Sequence, residues 1–367
     1  MALTNFAAMT NEELTVWQRK LWRQARNQSF MNRFLGKSPN SVFQHITELK
    51  KSSKGARAVI TLLADLEGDG VTGDNTLEGN EGVPRTHECV IRLDQIRNAT
   101  RHEGRMADQK SVVEFRENAH NMLSYWLADR LDQLTFLTLA GWSYNLHNRG
   151  NGRTGSPLHR LEFASDIAAP TPQRVARWNG TTKRLEIGGA TTDVAAADMP
   201  MWEMLVQLKA YAKESYMRPA GTGGDEAFHV FMSPGAMARL KLDETYMKNL
   251  RHAQSRDNSN PLFTGSTVKV DGLYIHEHNH VPNTLKATTK WGAAGDVDGC
   301  QILFCGAQAL GVADIGQPTW EEKGFDYENQ QGVAVGKIMG FLKPQFESQY
   351  LGGAREDHGV ISVYAAQ

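Results

Sequence analysis

The densest run of metal-ligating side chains is His276-Glu277-His278-Asn279-His280. On an extended strand alternate residues share a face, so His276, His278 and His280 would present three imidazoles together, the donor set of a catalytic zinc site. That pattern supports one reading of the chain, a metal-dependent hydrolase. Against it, Glu277, the only nearby general base, would face the other way, and a polar strand end and turn before Pro282 explain the run equally well. Asp65, Glu67, Asp69 and Gly70 copy the first half of a calcium loop, but the twelfth position, which needs glutamate, is Thr76. The glycine-rich Gly150-Asn-Gly-Arg-Thr-Gly155 lacks the Lys-Ser/Thr ending of a P-loop. Ser233 follows Phe231-Met232 and precedes Pro234, which reads as a helix cap and not as a nucleophile elbow. The acidic residues between 65 and 81 have no apolar surround to raise a carboxyl pKa for acid–base work. These residue types give no positive sign of catalysis, and the expectation is a protein with no enzymatic site, no bound metal and no cofactor.

The elements that would position these residues are dominated by one stretch, 111–141. Val112, Phe115, Ala119, Leu123, Leu127, Leu131 and Leu134 recur in steps of three and four and line one helical face, which Met122 and Trp126 widen. Ser111 and Glu114 form a capping-box pattern and Gly141 is a natural stop, so the helix would be a rod about 45 Å long. Before it, Thr10 and Glu13 repeat the capping pattern and open a helix to about residue 28, with Leu14, Trp17, Leu21 and Trp22 on one side. Two matching β-rich runs lie at 56–64 and 85–93, and the second alternates, with His87, Cys89, Ile91 and Leu93 on one face. Some twenty residues rich in Gly, Asp and Asn separate them, long enough to suggest a functional or reaching loop. Later come a polar, loop-rich insertion over 143–192, a helix capped by Asp198, a strand over 227–232, a helix capped by Ser233, and strands over 268–276, 302–312, 333–342 and 360–364. The order lacks a βαβ rhythm, so the fold class is α+β.

The 367 residues carry 40 basic and 41 acidic side chains, so net charge gives no general attraction to nucleic acid. The charges are unevenly placed. Arg19, Lys20, Arg23, Arg26, Arg33 and Lys37 make the first segment basic, whereas Asp65, Glu67, Asp69, Asp74, Glu78 and Glu81 make the loop acidic. Such neighbours suggest pairing, within one chain or between copies, or a basic arm that faces DNA. Three cysteines form no disulfide framework, no apolar run is long enough to span a membrane, and no secretion signal opens the chain.

Several stretches together resemble one family. Asn75-Thr-Leu-Glu-Gly-Asn-Glu81 in the loop is followed by Ile91-Arg-Leu-Asp-Gln-Ile-Arg-Asn-Ala-Thr100, then Gly104-Arg-Met-Ala-Asp-Gln-Lys110, then the helix from Phe115-Arg-Glu-Asn-Ala119 to Leu139-Ala-Gly141. This is similar to major capsid proteins of tailed bacteriophages, in the group typified by the coat protein of N-four-like podoviruses, which resembles the Hong Kong 97-type capsid fold. The resemblance implies an N-terminal arm (1–54), an extended loop crossing a neighbouring subunit (55–93), a spine helix with the start of a peripheral domain (94–142), an axial domain with an insertion and returning strands (143–315), and closing peripheral strands (316–367). It implies a non-enzymatic subunit that assembles with itself, as hexamers and pentamers, into an icosahedral shell around double-stranded DNA. Such a subunit is put together in the bacterial cytoplasm and resides in the virion. Expected partners are a separate scaffolding protein, a portal, cement proteins and DNA, contacted without sequence preference, and no membrane. The prototype cross-links a loop lysine to a neighbour's asparagine; residues 65–84 hold no lysine, so no such link is expected here.

Overall fold

In the computed structural model the described residues are 20, 21, 24, 25, 28–46, 57–63, 70–79, 86–106, 115–221, 226–253, 268–327, 329–347 and 353–367. The two β-rich runs pair as expected. β3 (Arg57–Leu63) and β4 (Thr86–Arg92) form a two-stranded antiparallel hairpin with Val59 opposite Val90 and Ile60 opposite Cys89. Period-two alternation gives this ribbon an inner face, with Ala58, Ile60, Cys89 and Ile91 buried, and an outer face that is not.

The rod is α1 (Phe115–Ala140). Ser111 and Glu114, the expected capping box, lie outside the described residues. Ala119, Leu123, Leu127, Leu131 and Leu134 face the core as the periodicity requires. From Leu131 onward every residue of the helix is buried, because the chain wraps it on all sides. Met122 does not join the stripe: it is 67% exposed, and Tyr125 beside it is 59% exposed. Gly141 ends the helix at φ +72°, as expected, and a Cβ there would meet the Ala168 carbonyl oxygen at 2.3 Å.

Two sheets flank α1. The first runs β1 (Leu35–Gly36), β2 (Phe43–Ile46), β12 (Leu310–Asp314), β14 (Gln330–Leu342), β13 (Thr319–Phe325). β5 (Asp94–Arg101) pairs with the opposite edge of β14 from Met339 to Gly332. The second has seven strands in the order β7 (Arg184–Ile187), β6 (Val175–Asn179), β17 (Val360–Ala366), β11 (Gly299–Cys305), β8 (Phe228–Met232), β10 (Leu273–Glu277), β9 (Val268–Val270). A further small pair joins β15 (Gln345–Glu347) to β16 (Arg355–Asp357). β8 and β10 are parallel, linked through α3 (Pro234–Leu242), α4 (Glu244–Ala253) and β9. Parallel neighbours need such a long crossover. The mixture of helices with largely antiparallel sheets bears out the α+β class.

Three expectations are corrected. The strand expected over 268–276 is a hairpin, because Asp271 and Gly272, at φ +49° and +74°, make a two-residue turn between β9 and β10. The strand expected over 302–312 is two strands in different sheets, β11 and β12, parted by a bend in which Gln308 sits at φ +50°. Asp198 does not cap α2 (Trp202–Glu214); its carboxylate accepts from the backbone N–H groups of Gly180 and Ala195, and the Trp202 N–H donates to Asp243 at 2.8 Å. Ser233 does cap α3, accepting from the Ala236 N–H at 3.2 Å with Pro234 in the first turn.

Candidate functional site

The hairpin sits on the body through glycines. A Cβ at Gly311 of β12 would lie 2.0 Å from Ile60 Cδ1, and one at Gly340 of β14 would lie 2.1 Å from the Arg92 carbonyl oxygen. Only a bare backbone lets the inner face approach this closely. Ile46, Ala58, Ile60, Cys89, Ile91, Leu93 and Ala313 form the resulting small core, separate from the main one. The outer face carries Val59 and Val90 directly opposite one another, 40% and 42% exposed. Beyond them, residues 70–79 form turns in which Leu77, Asp74 and Glu78 are exposed.

The sequence-derived acidic and basic candidates divide accordingly. Asp74 and Glu78 are exposed on the hairpin loop, and Lys20, Arg33 and Lys37 are exposed on the N-terminal segment. Asp65, Glu67, Asp69, Glu81, Arg19, Arg23 and Arg26 lie outside the described residues. Among the described residues no ion pair joins Asp74 or Glu78 to Arg33 or Lys37.

The sequence reading did not find how the N-terminal segment is held. Asp132, buried on α1, accepts three bonds from it: Ser29 Oγ at 2.7 Å, the Phe30 N–H at 2.9 Å and the Met31 N–H at 2.9 Å. Burial pushes the Asp132 carboxyl up, and the three donors pull it back down. Phe30 then stacks on His278, with ring centroids 4.4 Å apart, and Phe34 packs edge-on against His229, Phe231 and His276. The one signal for it in the chain is an acidic residue, Asp132, in the midst of an apolar helix repeat.

The imidazoles are packed here as core. β10 ends at Glu277, so His276, His278 and His280 do not share a strand face, and the three-histidine metal reading is corrected on that ground. His276 Nε2 and His229 Nδ1 share a hydrogen bond of 3.0 Å. His278 stacks against both Phe30 and Phe136, and its Nδ1 accepts the His280 N–H at 3.2 Å. His280 Nε2 bonds Asp129 Oδ1 at 2.7 Å, and this bond holds the Asp129 carboxyl below its ordinary value. Burial depresses His229 and His278 to about 4 and His276 to about 3. Among the described residues no group of three or more His, Cys, Asp or Glu side chains is placed to hold a metal ion. None of the described helices is long and apolar enough to cross a membrane.

Residues 5–367 match the profile of a family described as phage capsid protein. The chain is 58% identical, over 99% of its length and 97% of the relative's, to the major capsid protein of Pseudomonas phage KPP25. Among solved structures, the capsid of Ralstonia phage GP4 superposes with a TM-score of 0.75 at 24% identity, covering 92% of this chain and 90% of that one. The Cyanophage Pam1 capsid asymmetric unit does so at 0.71 and 18% identity, covering 100% and 96%. The fold is therefore the Hong Kong 97-type capsid fold that the sequence resemblance implied. The chain belongs to the phage capsid protein family. Its role is structural, and its place is the capsid of the virion.

Proposed function

We propose that copies of this chain, as hexamers and pentamers, close an icosahedral head shell around double-stranded DNA, each hairpin lying across a neighbouring copy. The observation that carries this reading is the two-faced hairpin. Its inner face is seated on Gly311 and Gly340, while its outer face leaves Val59 and Val90 uncovered below an exposed loop. A modest contact repeated by every subunit gives a stable lattice through multivalency. In this arrangement residues 1–54 are the arm, 55–93 the extended loop, 94–142 the spine helix with the start of the peripheral domain, 143–315 the axial domain with returning strands, and 316–367 the closing peripheral strands. The acidic side chains of the loop, Asp65, Glu67, Asp69, Asp74, Glu78 and Glu81, face a neighbour. Arg19, Lys20, Arg23, Arg26, Arg33 and Lys37 meet either that acidic loop in another copy or packaged DNA, and a DNA contact of this kind is phosphate-directed and salt-sensitive.

A separate scaffolding protein, a portal and cement proteins complete the set of partners, and the subunit is assembled in the host cytoplasm without catalysing a reaction. The test is deletion of residues 68–82. The subunit is expected to fold, with its thermal transition retained, but to yield no stable shells by negative-stain microscopy. Normal particles from the deletion would overturn the reading.

A further inference from the structure

The hydrogen-bond pattern around the N-terminal segment has a chemical requirement. The bond between His229 Nδ1 and His276 Nε2, at 3.0 Å, needs one of the two nitrogens to carry a lone pair. The bond from the His280 N–H to His278 Nδ1, at 3.2 Å, needs a lone pair on that nitrogen too. The second bond exists only while His278 is neutral, and the first is lost once both His229 and His276 are protonated. The rings are also the floor on which the segment rests: Phe30 is stacked on His278, and Phe34 meets the edges of His229 and His276. We propose that the contact between residues 28–46 and the α1–β10 surface is a proton-operated latch, closed while His229, His276 and His278 are neutral and opened when they take up protons.

The charged groups around the rings come from four elements. Arg33 of the segment itself repels a proton on His276 or His278. His280 beyond β10 repels one on His278, and Asp129 of α1 attracts one. Tyr274 of β10 stacks on His229 at 5.2 Å, and Asp132 of α1 lies under the segment's backbone. Burial dominates for all three rings, so each binds a proton less readily in the closed state than in water. Opening the segment admits water and restores their ordinary affinity. Lowering the pH therefore favours opening, starting near the exposed imidazole value of about 6.5, by about tenfold per pH unit for each ring that rehydrates. Asp132 works in the opposite direction, since its raised pKa makes the closed state the better proton binder. It is one group against three, and the imidazoles set the sign. The contacts that do not titrate, such as the bonds of Gln308 and Ala309 to the Ser41 and Val42 carbonyls, fix how far the pH must fall.

The latch is a property of the single folded chain and does not depend on a lattice. Hydrogen–deuterium exchange on the full-length protein between pH 7 and pH 4, corrected for intrinsic rates, tests it. Peptides covering residues 28–46 are expected to lose protection as the pH falls, while peptides from β11 and β17 keep theirs. H278F keeps the stack on Phe30 and Phe136 but has no titrating nitrogen, and H276Q removes a second; each is expected to flatten the pH dependence of the 28–46 peptides by about tenfold per pH unit. Protection of 28–46 that is flat down to pH 4 overturns the proposal. So does loss of 28–46 and of β11 and β17 at one and the same pH, or a variant that is folded at pH 7 and follows the wild-type profile. Should both variants fail to fold, the wild-type profile alone decides.

Discussion

The seven-stranded sheet and the β3–β4 hairpin are built from similar residue types and end in opposite conditions. In β11 every residue from Gly299 to Cys305 is buried, with β17 paired along one edge, β8 along the other and α1 packed against it. Ile302, Leu303, Phe304 and Cys305 have no exposed surface. A strand covered on both faces and paired on both edges has no use for a partner chain. The hairpin has only two strands, and only one face is covered. A two-stranded ribbon is marginal by itself, so its stability is borrowed from the seat on β12 and β14. The contrast separates two conditions: the large sheet is closed on every side, and the hairpin keeps one face uncovered, the face that the proposed function assigns to a neighbouring copy.

Mutations can break or sharpen that contrast. The largest effect is expected from F304A in β11, which leaves a cavity where nothing can collapse and should cost about 3–5 kcal/mol in chemical denaturation. Thiol labelling of the native protein gives the next. Cys89 lies on the hairpin and donates to the Gln345 carbonyl, whereas Cys300 and Cys305 are fully buried in β11 and burial raises both thiols, Cys300 to about 11. Cys89 should label at a local-opening rate, on the order of a hundredfold faster than the other two, which wait for global unfolding. Equal rates would mean that the hairpin and the sheet open as one unit. G311V forces a side chain into Ile60 and should cost about 1–3 kcal/mol while making the hairpin protease-sensitive ahead of the body. The smallest effect on stability, within about 0.5 kcal/mol, is expected from the double change V59S and V90S on the outer face. That variant should nonetheless be poor at forming shells, as judged by particle yield; a normal yield would show that the outer face is not the contact.

Parts of this were legible from the residues. The first hairpin strand followed from its β-rich composition, the second and its inner face from alternation, and α1 from its periodic leucines, because burial on one side of a regular element leaves a repeating mark. Met122 misled, since it fits the helical period yet faces outward where the N-terminal segment and the sheets leave α1 uncovered. The Asp271-Gly272 turn was readable as an Asp-Gly hairpin signal inside an apolar run. β5 was not: Asp94-Gln-Ile-Arg-Asn-Ala-Thr-Arg101 buries only Ile96 and owes its extended shape to pairing with β14, more than two hundred residues away. The exposure of Asp74 and Glu78 on the loop was legible from composition, whereas the aromatic–histidine floor was not, because its members are scattered from Phe30 to His278.

What the sequence determined by itself was local: which residues make the long helix, which alternate as a ribbon, where Gly141 stops one element and Ser233 starts another, and, through its motifs, the family. What only the tertiary structure decided was partnership. β6 lies parallel to β17, β2 parallel to β12, and two of the three histidines that read as metal ligands, His276 and His278, serve as floor for the phenylalanines of the N-terminal segment. The reason is physical. Helical and strand periods are written by each segment's own side chains, but strand neighbours, and the burial that keeps an imidazole neutral, are set by segments that meet only when the chain is folded.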